Sequence, residues 1–491
     1  MVSQNVISAD SQKNIDEKLV RWIIRDSQSF NIVENPPFID FVNSLNENYK
    51  LINRKQVCTY IHQLYESKLI ITKQIISNIN SKISISFDIW TSNNQKSYLG
   101  LKMHYINEVF ELKSFTLDFY YFNCPHSGNN LCSVIQNILN SFNIGNLKSI
   151  TCDNASNNVK CFELLKKQHT NINFVGCFAH ILNLIIKAGP LRENTVIEKI
   201  RRIADKANNS GLANILNKEA TIHSLPYSKL IMDVVTRWNS TYLMINSFVK
   251  NEKLLKILSE TNTLTELEWL DIKKICNLLE PFYEITQIIS SSKYPTIGFC
   301  YSIILEIENI INKFNDDDKL KGYADLMKTK FLKYFSNVND DYAIAMFLDP
   351  RIKDKKFTDH DKLLFLEKFK KIYLLYENKH STTVIKNLNN KCNLYDSFFP
   401  RTNDSNSNEI FTYLYVPLIS KDSDILQFWN NNKEQYTILS IMARDYLCIP
   451  ATSVNCEEMF SAASDVVTKK RNQLSPKIIK EIMCLQSWLL I

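Results

Sequence analysis

Glycine is scarce in this sequence, 8 among 491 residues, against a usual frequency of about 7%. The closest two are Gly176 and Gly189, whereas a P-loop needs a close glycine pair and a dinucleotide fingerprint needs G-x-G-x-x-G. A glycine loop that cradles phosphate is therefore excluded. No glycine follows Gly322, which suits a helix-rich C-terminal part. The 12 cysteines include no C-x-x-C pair, so neither a zinc ribbon nor a dithiol redox motif is indicated. Reduced, mostly buried thiols of an intracellular protein are the simpler expectation. No apolar run approaches the roughly 18 residues that cross a bilayer. The opening MVSQNVISADSQKN also lacks the apolar stretch of a secretory signal. A soluble chain with no membrane partner is expected.

What remains is ordinary globular material. Hydrophobic residues make up 45% and charged residues 22%, and the length allows roughly three domains at about 150 residues each. The net charge of +7, from 58 basic and 51 acidic residues, is compatible with nucleic acid without being diagnostic of it.

Residues 1–80 read as helical, with Leu19, Trp22 and Ile23 and then Val57, Tyr60, Ile61 and Leu64 at helical spacing. The character changes after residue 81. Ile83, Ile85, Phe87 and Ile89 alternate with Ser84, Ser86 and Asp88, which predicts a strand with one apolar face and Asp88 on the other. Two further β-rich stretches, 98–106 and 109–122, complete an expected antiparallel meander. Leu131, Ile135, Ile138, Leu139 and Phe142 then form one helical stripe. A short strand over 147–152 ends at Asp153, and Phe174-Val175 suits a fifth strand. A helix over 177–187 follows, with His180, Asn183 and Lys187 on one face. Three strands, a helix, a strand, a helix, a strand and a helix give an α/β sheet in the order of an RNase H-like core. Residues 190 to about 400 are expected to be all α-helical. The polar stretch TNDSNSNE at 402–409 marks a boundary.

Three acidic positions concentrate the chemistry. Asp88 lies on the polar face of its strand, and Asp153 ends the next core strand, where α/β sheets place their sites. Two aspartates on neighbouring strands can share a divalent cation, and oxygen ligands suit magnesium. The third acid lies in a patterned helix. Cys456, Phe460, Ala463 and Val467 form its apolar stripe, and Glu457, Ser461, Ser464 and Thr468 its polar one. Glu458 is only about 100° away around the helix, so periodicity does not choose between the two glutamates.

At these residues the sequence resembles the hAT transposase superfamily, in its RICESLEEPER branch related to BED-finger proteins. The resemblance rests on SISFDIWTSN at 84–93, TCDNASNN at 151–158, GCFAHILNL at 176–184 and DVVTRWNSTYLMI at 233–245. AMFLDPRIK at 345–353 and the C-terminal stretch from 442 to 476 extend it over nearly the whole chain. It implies an RNase H-like core interrupted by a large helical insertion, with an N-terminal helical region. The implied divisions are 1–80, N-terminal helices; 81–190, the first part of the core; 191–408, the insertion; and 409–491, a dimerisation region that completes the core.

The resemblance also implies catalytic residues Asp88, Asp153 and Glu457, which favours Glu457 over its neighbour. They would hold Mg2+ or Mn2+ for cleavage and strand transfer of DNA phosphodiesters. His180, Arg237 and Trp238 are implied DNA contacts, with Trp238 stacking on a distorted strand or else packing as a buried aromatic. Lys469, Lys470 and Arg471 suit phosphate contact and equally a helix C-terminus. A homodimer or higher oligomer working on transposon ends in the nucleus follows. No counterpart of the branch's zinc finger is found ahead of the core. The second reading is therefore a domesticated, non-catalytic nuclear protein that binds DNA and dimerises.

Overall fold

A computed structural model describes residues 7–490, apart from 93, 190–193, 210, 235–237, 258–263, 292–293, 316, 318, 337, 388–408 and 468–473, with the backbone alone at 381–387. In chain order it begins with α1 (Ala9–Arg25), α2 (Pro36–Leu45) and α3 (Arg54–Ser77). The sheet segment follows: β1 (Ile83–Thr91), β2 (Ser97–Ile106), β3 (Leu112–Phe122), α4 (Gly128–Ser141), β4 (Leu147–Cys152), α5 (Ser156–Gln168) and β5 (Asn173–Gly176). A helical stretch comprises α6 (Phe178–Ala188), α7 (Thr195–Asn209), α8 (Leu212–Ile222), α9 (Trp238–Lys250), α10 (Glu252–Ile257), α11 (Glu266–Ile289), α12 (Ile297–Lys313), α13 (Lys321–Phe335) and α14 (Asp340–Phe347). After α15 (Asp359–Asn387) the chain ends in α16 (Glu409–Tyr415), α17 (Ile425–Asn432), α18 (Thr437–Leu447), α19 (Val454–Val466) and α20 (Pro476–Trp488).

These elements form two compact units, residues 1–175 with 371–491 and residues 176–370. In the first, one sheet has the order β3-β2-β1-β4-β5. The meander read from the sequence is present, with β1 antiparallel to β2 and β2 to β3. The sheet turns parallel at β1 and β4, where Ser86 pairs with Thr151. A mixed sheet in this order, with carboxylates at strand ends and a helical segment interrupting the unit, is the RNase H-like architecture with an all-α insertion. The apolar stripe of α4 is buried together with Ile83, Ile85 and Phe87 of β1.

The N-terminal helices do not stand apart from that core. Val20, Ile23, Val57 and Ile61 share it with Ile482, Leu485 and Trp488 of α20. The start of α3 is fixed by a capping box, in which Asn53 accepts from the Gln56 amide and Gln56 accepts from the Asn53 amide. Helix α20 begins at Pro476 behind the Ser475 cap. It is tied to β3, since Trp488 Nε1 donates to the Thr116 carbonyl at 2.7 Å and Lys480 Nζ meets Asp118 at 2.7 Å.

The second unit is helical throughout its described residues. Helix α11 starts from a capping box of Thr265 and Glu268. The chain turn at Asp349 is fixed by Arg351, whose guanidinium reaches both carboxylate oxygens, at 2.9 and 2.7 Å. Among the described residues no helix is long and apolar enough to cross a membrane.

Candidate active site

The parallel pairing of β1 with β4 fixes the first two carboxylates. Ser86 and Thr151 are register partners, and Asp88 and Asp153 each lie two positions further along. Period-two alternation, carried one residue past the end of β4 at Cys152, puts both on the face of Ser86 and Thr151. Their strands are neighbours, about 4.8 Å apart. That face is covered by the chain leading into α19. Thr151 Oγ1 donates to the Pro450 carbonyl at 2.8 Å, and Ser84 Oγ meets Cys448 Sγ at 3.4 Å.

Helix α19 brings the third carboxylate. Cys456 Sγ lies 3.6 Å from the Ser86 carbonyl and 3.8 Å from that of Gly100. Gly100 is the β2 partner of Asp88. A Cβ at Gly100 would fall 2.2 Å from Met459 Cε and 2.8 Å from Phe460 Cε1, so only glycine admits the helix this close. Phe460 also stacks on Trp90 at 6.0 Å. With Cys456, Met459 and Phe460 pinned to the sheet, Glu457 stands exposed in the first turn of α19.

The electrostatics report this convergence. The Asp88 carboxyl is pushed up to about 7, chiefly by burial, with the charges of Asp153 and Glu457 adding and the bond from the Ile89 amide opposing. Of the two glutamates that periodicity left open, Glu457 is the one whose charge acts on Asp88. Asp153 is held by its own loop, where its Oδ1 accepts from the Ala155 amide at 2.9 Å and from Asn158 Nδ2 at 2.5 Å. Asn158 is buried at 4% exposure.

Carboxylate oxygens are the donor chemistry of Mg2+ and Mn2+. Among the described residues no three His, Cys, Asp or Glu side chains stand ready to enclose one ion. The donor set fits a divalent cation in kind, by its carboxylate chemistry alone.

The other residues singled out in the sequence fall elsewhere. His180 lies half-buried on α6, with Asn183 and Lys187 on the same partly exposed side, in the helical unit. Trp238 opens α9 at 4% exposure. That burial is the placement expected of interior packing, one of the two roles read for it. Arg237, Lys469, Lys470 and Arg471 lie outside the described residues. Sequence reasoning passed over Gly100, Met459 and Asn158, which position the acids. The spacing of Asn158 five residues after Asp153 is the one signal that was open to inspection.

Comparisons with known proteins agree with this fold. Residues 86–178 match the ZBED1 RNase-like domain and 175–278 its RNase-like helical domain. Residues 299–395 match the hAT-like transposase RNase-H fold, and 409–489 the hAT family C-terminal dimerisation region. Residues 3–47, read above as plain helices, match the Hermes transposase DNA-binding domain. A putative AC transposase of Zea mays is 30% identical over 96% of this chain. The RICESLEEPER 3 protein of Oryza sativa is 24% identical over 96% of the chain and 69% of its own length. A putative transcriptional regulator of Talaromyces stipitatus is 24% identical over 95% of the chain and 61% of its own length. The chain spans 65% of the length of the maize transposase. The fold defines an RNase H-like protein. Within that class, the chain belongs to the hAT family of transposases and transposase-derived proteins.

Proposed function

We propose that the protein is a DNA transposase whose Asp88, Asp153 and Glu457 direct phosphodiester cleavage and strand transfer. The observation that carries this reading is the paired placement of Asp88 and Asp153, two positions beyond the Ser86–Thr151 partners, with Glu457 near enough to raise Asp88. Asp88 and Asp153 present oxygens from adjacent strands, and Glu457 adds a third from α19. Asn158 and the Ala155 amide hold Asp153 in place. Together these carboxylates would hold Mg2+ or Mn2+, which when bound supplies Lewis-acid stabilisation of the charge that develops on the phosphoryl oxygens. The carboxylates orient the attacking water or 3′-hydroxyl in line with the leaving oxygen.

DNA contacts are assigned to the N-terminal segment that resembles a DNA-binding domain, and to His180, Arg237, Lys469, Lys470 and Arg471. The protein acts as a homodimer or higher oligomer in the nucleus, which fluorescent tagging in cells tests. A non-catalytic DNA-binding regulator is the second reading, favoured by the name of the Talaromyces relative.

The test incubates purified protein and Mn2+ with DNA carrying the terminal repeats that flank its gene. Nicking and strand transfer are expected, and Asp153→Ala should abolish both while leaving DNA binding intact. A folded wild-type protein that binds authentic ends and leaves them uncut would decide for the regulator.

A further inference from the structure

The region matched as a dimerisation region, 409–489, is mostly spent on the fold of its own chain. Trp429, Tyr436, Cys456, Phe460, Ile482, Leu485 and Trp488 are all buried. Within its described residues, the large hydrophobic side chains left exposed are Phe411 at 47%, Tyr415 at 86% and Leu418 at 41%. All three fall in one stretch, IFTYLYVPLIS, which carries no charge between Glu409 and Lys421. Pro417 is exposed as well, and Leu414, Val416 and Ile419 are half-buried.

This stretch is rigidly mounted. Tyr413 is fully buried, its ring 5.3 Å from Trp429 and 5.7 Å from Tyr436. Glu409 caps α18, accepting from Thr437 Oγ1 at 2.7 Å and from the Leu439 amide at 3.1 Å. The outer face of α16 and the segment after it are thus presented in a fixed conformation, which lowers the ordering cost of association.

We infer that residues 410–419 form the self-association surface, and that the partner is a second copy of this chain meeting it through the same residues. The inference rests on the self-association reading above and localises it. The segment leaves a contiguous apolar patch in which polar side chains are few, the kind of surface that marks a protein contact. A two-fold axis would set this patch against its own copy, an isologous contact. An aromatic side chain at the centre, Tyr415, is the usual anchor of such a contact.

The test compares the intact chain with the double variant Tyr415→Asp/Leu418→Asp by sedimentation at matched concentrations. Wild type is expected to be oligomeric, and the variant to associate at least tenfold more weakly at an unchanged melting temperature. Hydrogen exchange of wild type adds a readout that needs no variant, since protection of residues 410–419 should rise with concentration. An oligomer whose mass the variant leaves unchanged overturns the surface alone. A monomeric wild type overturns the self-association reading and the surface together. A variant that keeps its mass but melts several degrees lower places the patch under the chain's own residues, which also overturns the assignment.

Discussion

The acids and their neighbours show how far single residues are governed by the strand on which they sit. Asp88 was legible because its strand alternates cleanly, and period two alone puts it opposite Ile85 and Phe87. His104 was not, because its environment is set by a cross-strand register that no local pattern reveals. It pairs with Ser84, bonds Ser86 Oγ at 2.8 Å and is driven by burial from 6.5 down to about 3. The folded protein therefore keeps His104 neutral, while the unfolded chain takes up a proton below pH 6.5. The stability His104 contributes is complete above that pH and is lost as the pH falls toward 3, by at most about 1.4 kcal/mol per pH unit. Urea midpoints at pH 7, 6 and 5 should fall less steeply in His104→Gln than in wild type, and parallel slopes would refute this. A second residue-scale expectation concerns Asn158. Its truncation to alanine frees Asp153 from a side-chain bond, and outer-shell losses of this kind typically cost about 10–100-fold. Asn158→Ala should lower the nicking rate by that order with DNA affinity unchanged, which a filter-binding assay run beside the cleavage assay would check.

At the scale of elements, the question is why α19 lies where Glu457 can reach the strands. Its apolar stripe was readable from spacing, and Cys456, Phe460, Ala463 and Val467 are all buried. The sequence could not say what that stripe packs against, because the receiving surface is a gap in a strand some 350 positions earlier (Met459 and Thr116 alone are 343 apart). Gly100 makes the gap, and a methyl group there meets both Met459 and the Phe460 ring. Met459 can swing aside, whereas Phe460 is held against Trp90 and Phe119. Gly100→Ala should therefore cost about 1–3 kcal/mol, the usual range for overpacking. It should also reduce cleavage beyond what the stability loss explains, because the first turn of α19 moves away from Asp88. Denaturation midpoints paired with single-turnover nicking would test both, and a variant with full activity would show that Glu457 does not depend on this contact.

For the whole molecule, the order of strands and helices was legible but the closure of the unit was not. The bonds that tie the chain's first helices to its last span most of the sequence: His62 to Glu481 at a separation of 419, and Gln486 to the Ile24 carbonyl at 462. A helical stripe announces that it will be buried without naming its partner, so residues 1–80 read as a separate region although their apolar side chains share a core with α20. The same closure governs what removing the C-terminal region would do. Losing 410–491 takes away α20 and with it the Lys480–Asp118 pair and the cover over β3. It also takes away Trp488, Leu485 and Phe460 at about 2–5 kcal/mol each, against a total stability of about 5–15 kcal/mol for a domain. The truncated chain should therefore lose the sheet unit altogether, rather than yield a folded monomer. Residues 176–370, compact by themselves, should still melt cooperatively when expressed alone. Calorimetry of the truncated chain is expected to show that single transition and no other. A second cooperative transition with native near-ultraviolet dichroism would mean that the sheet closes without its last helices, and that the C-terminal region serves association more than folding.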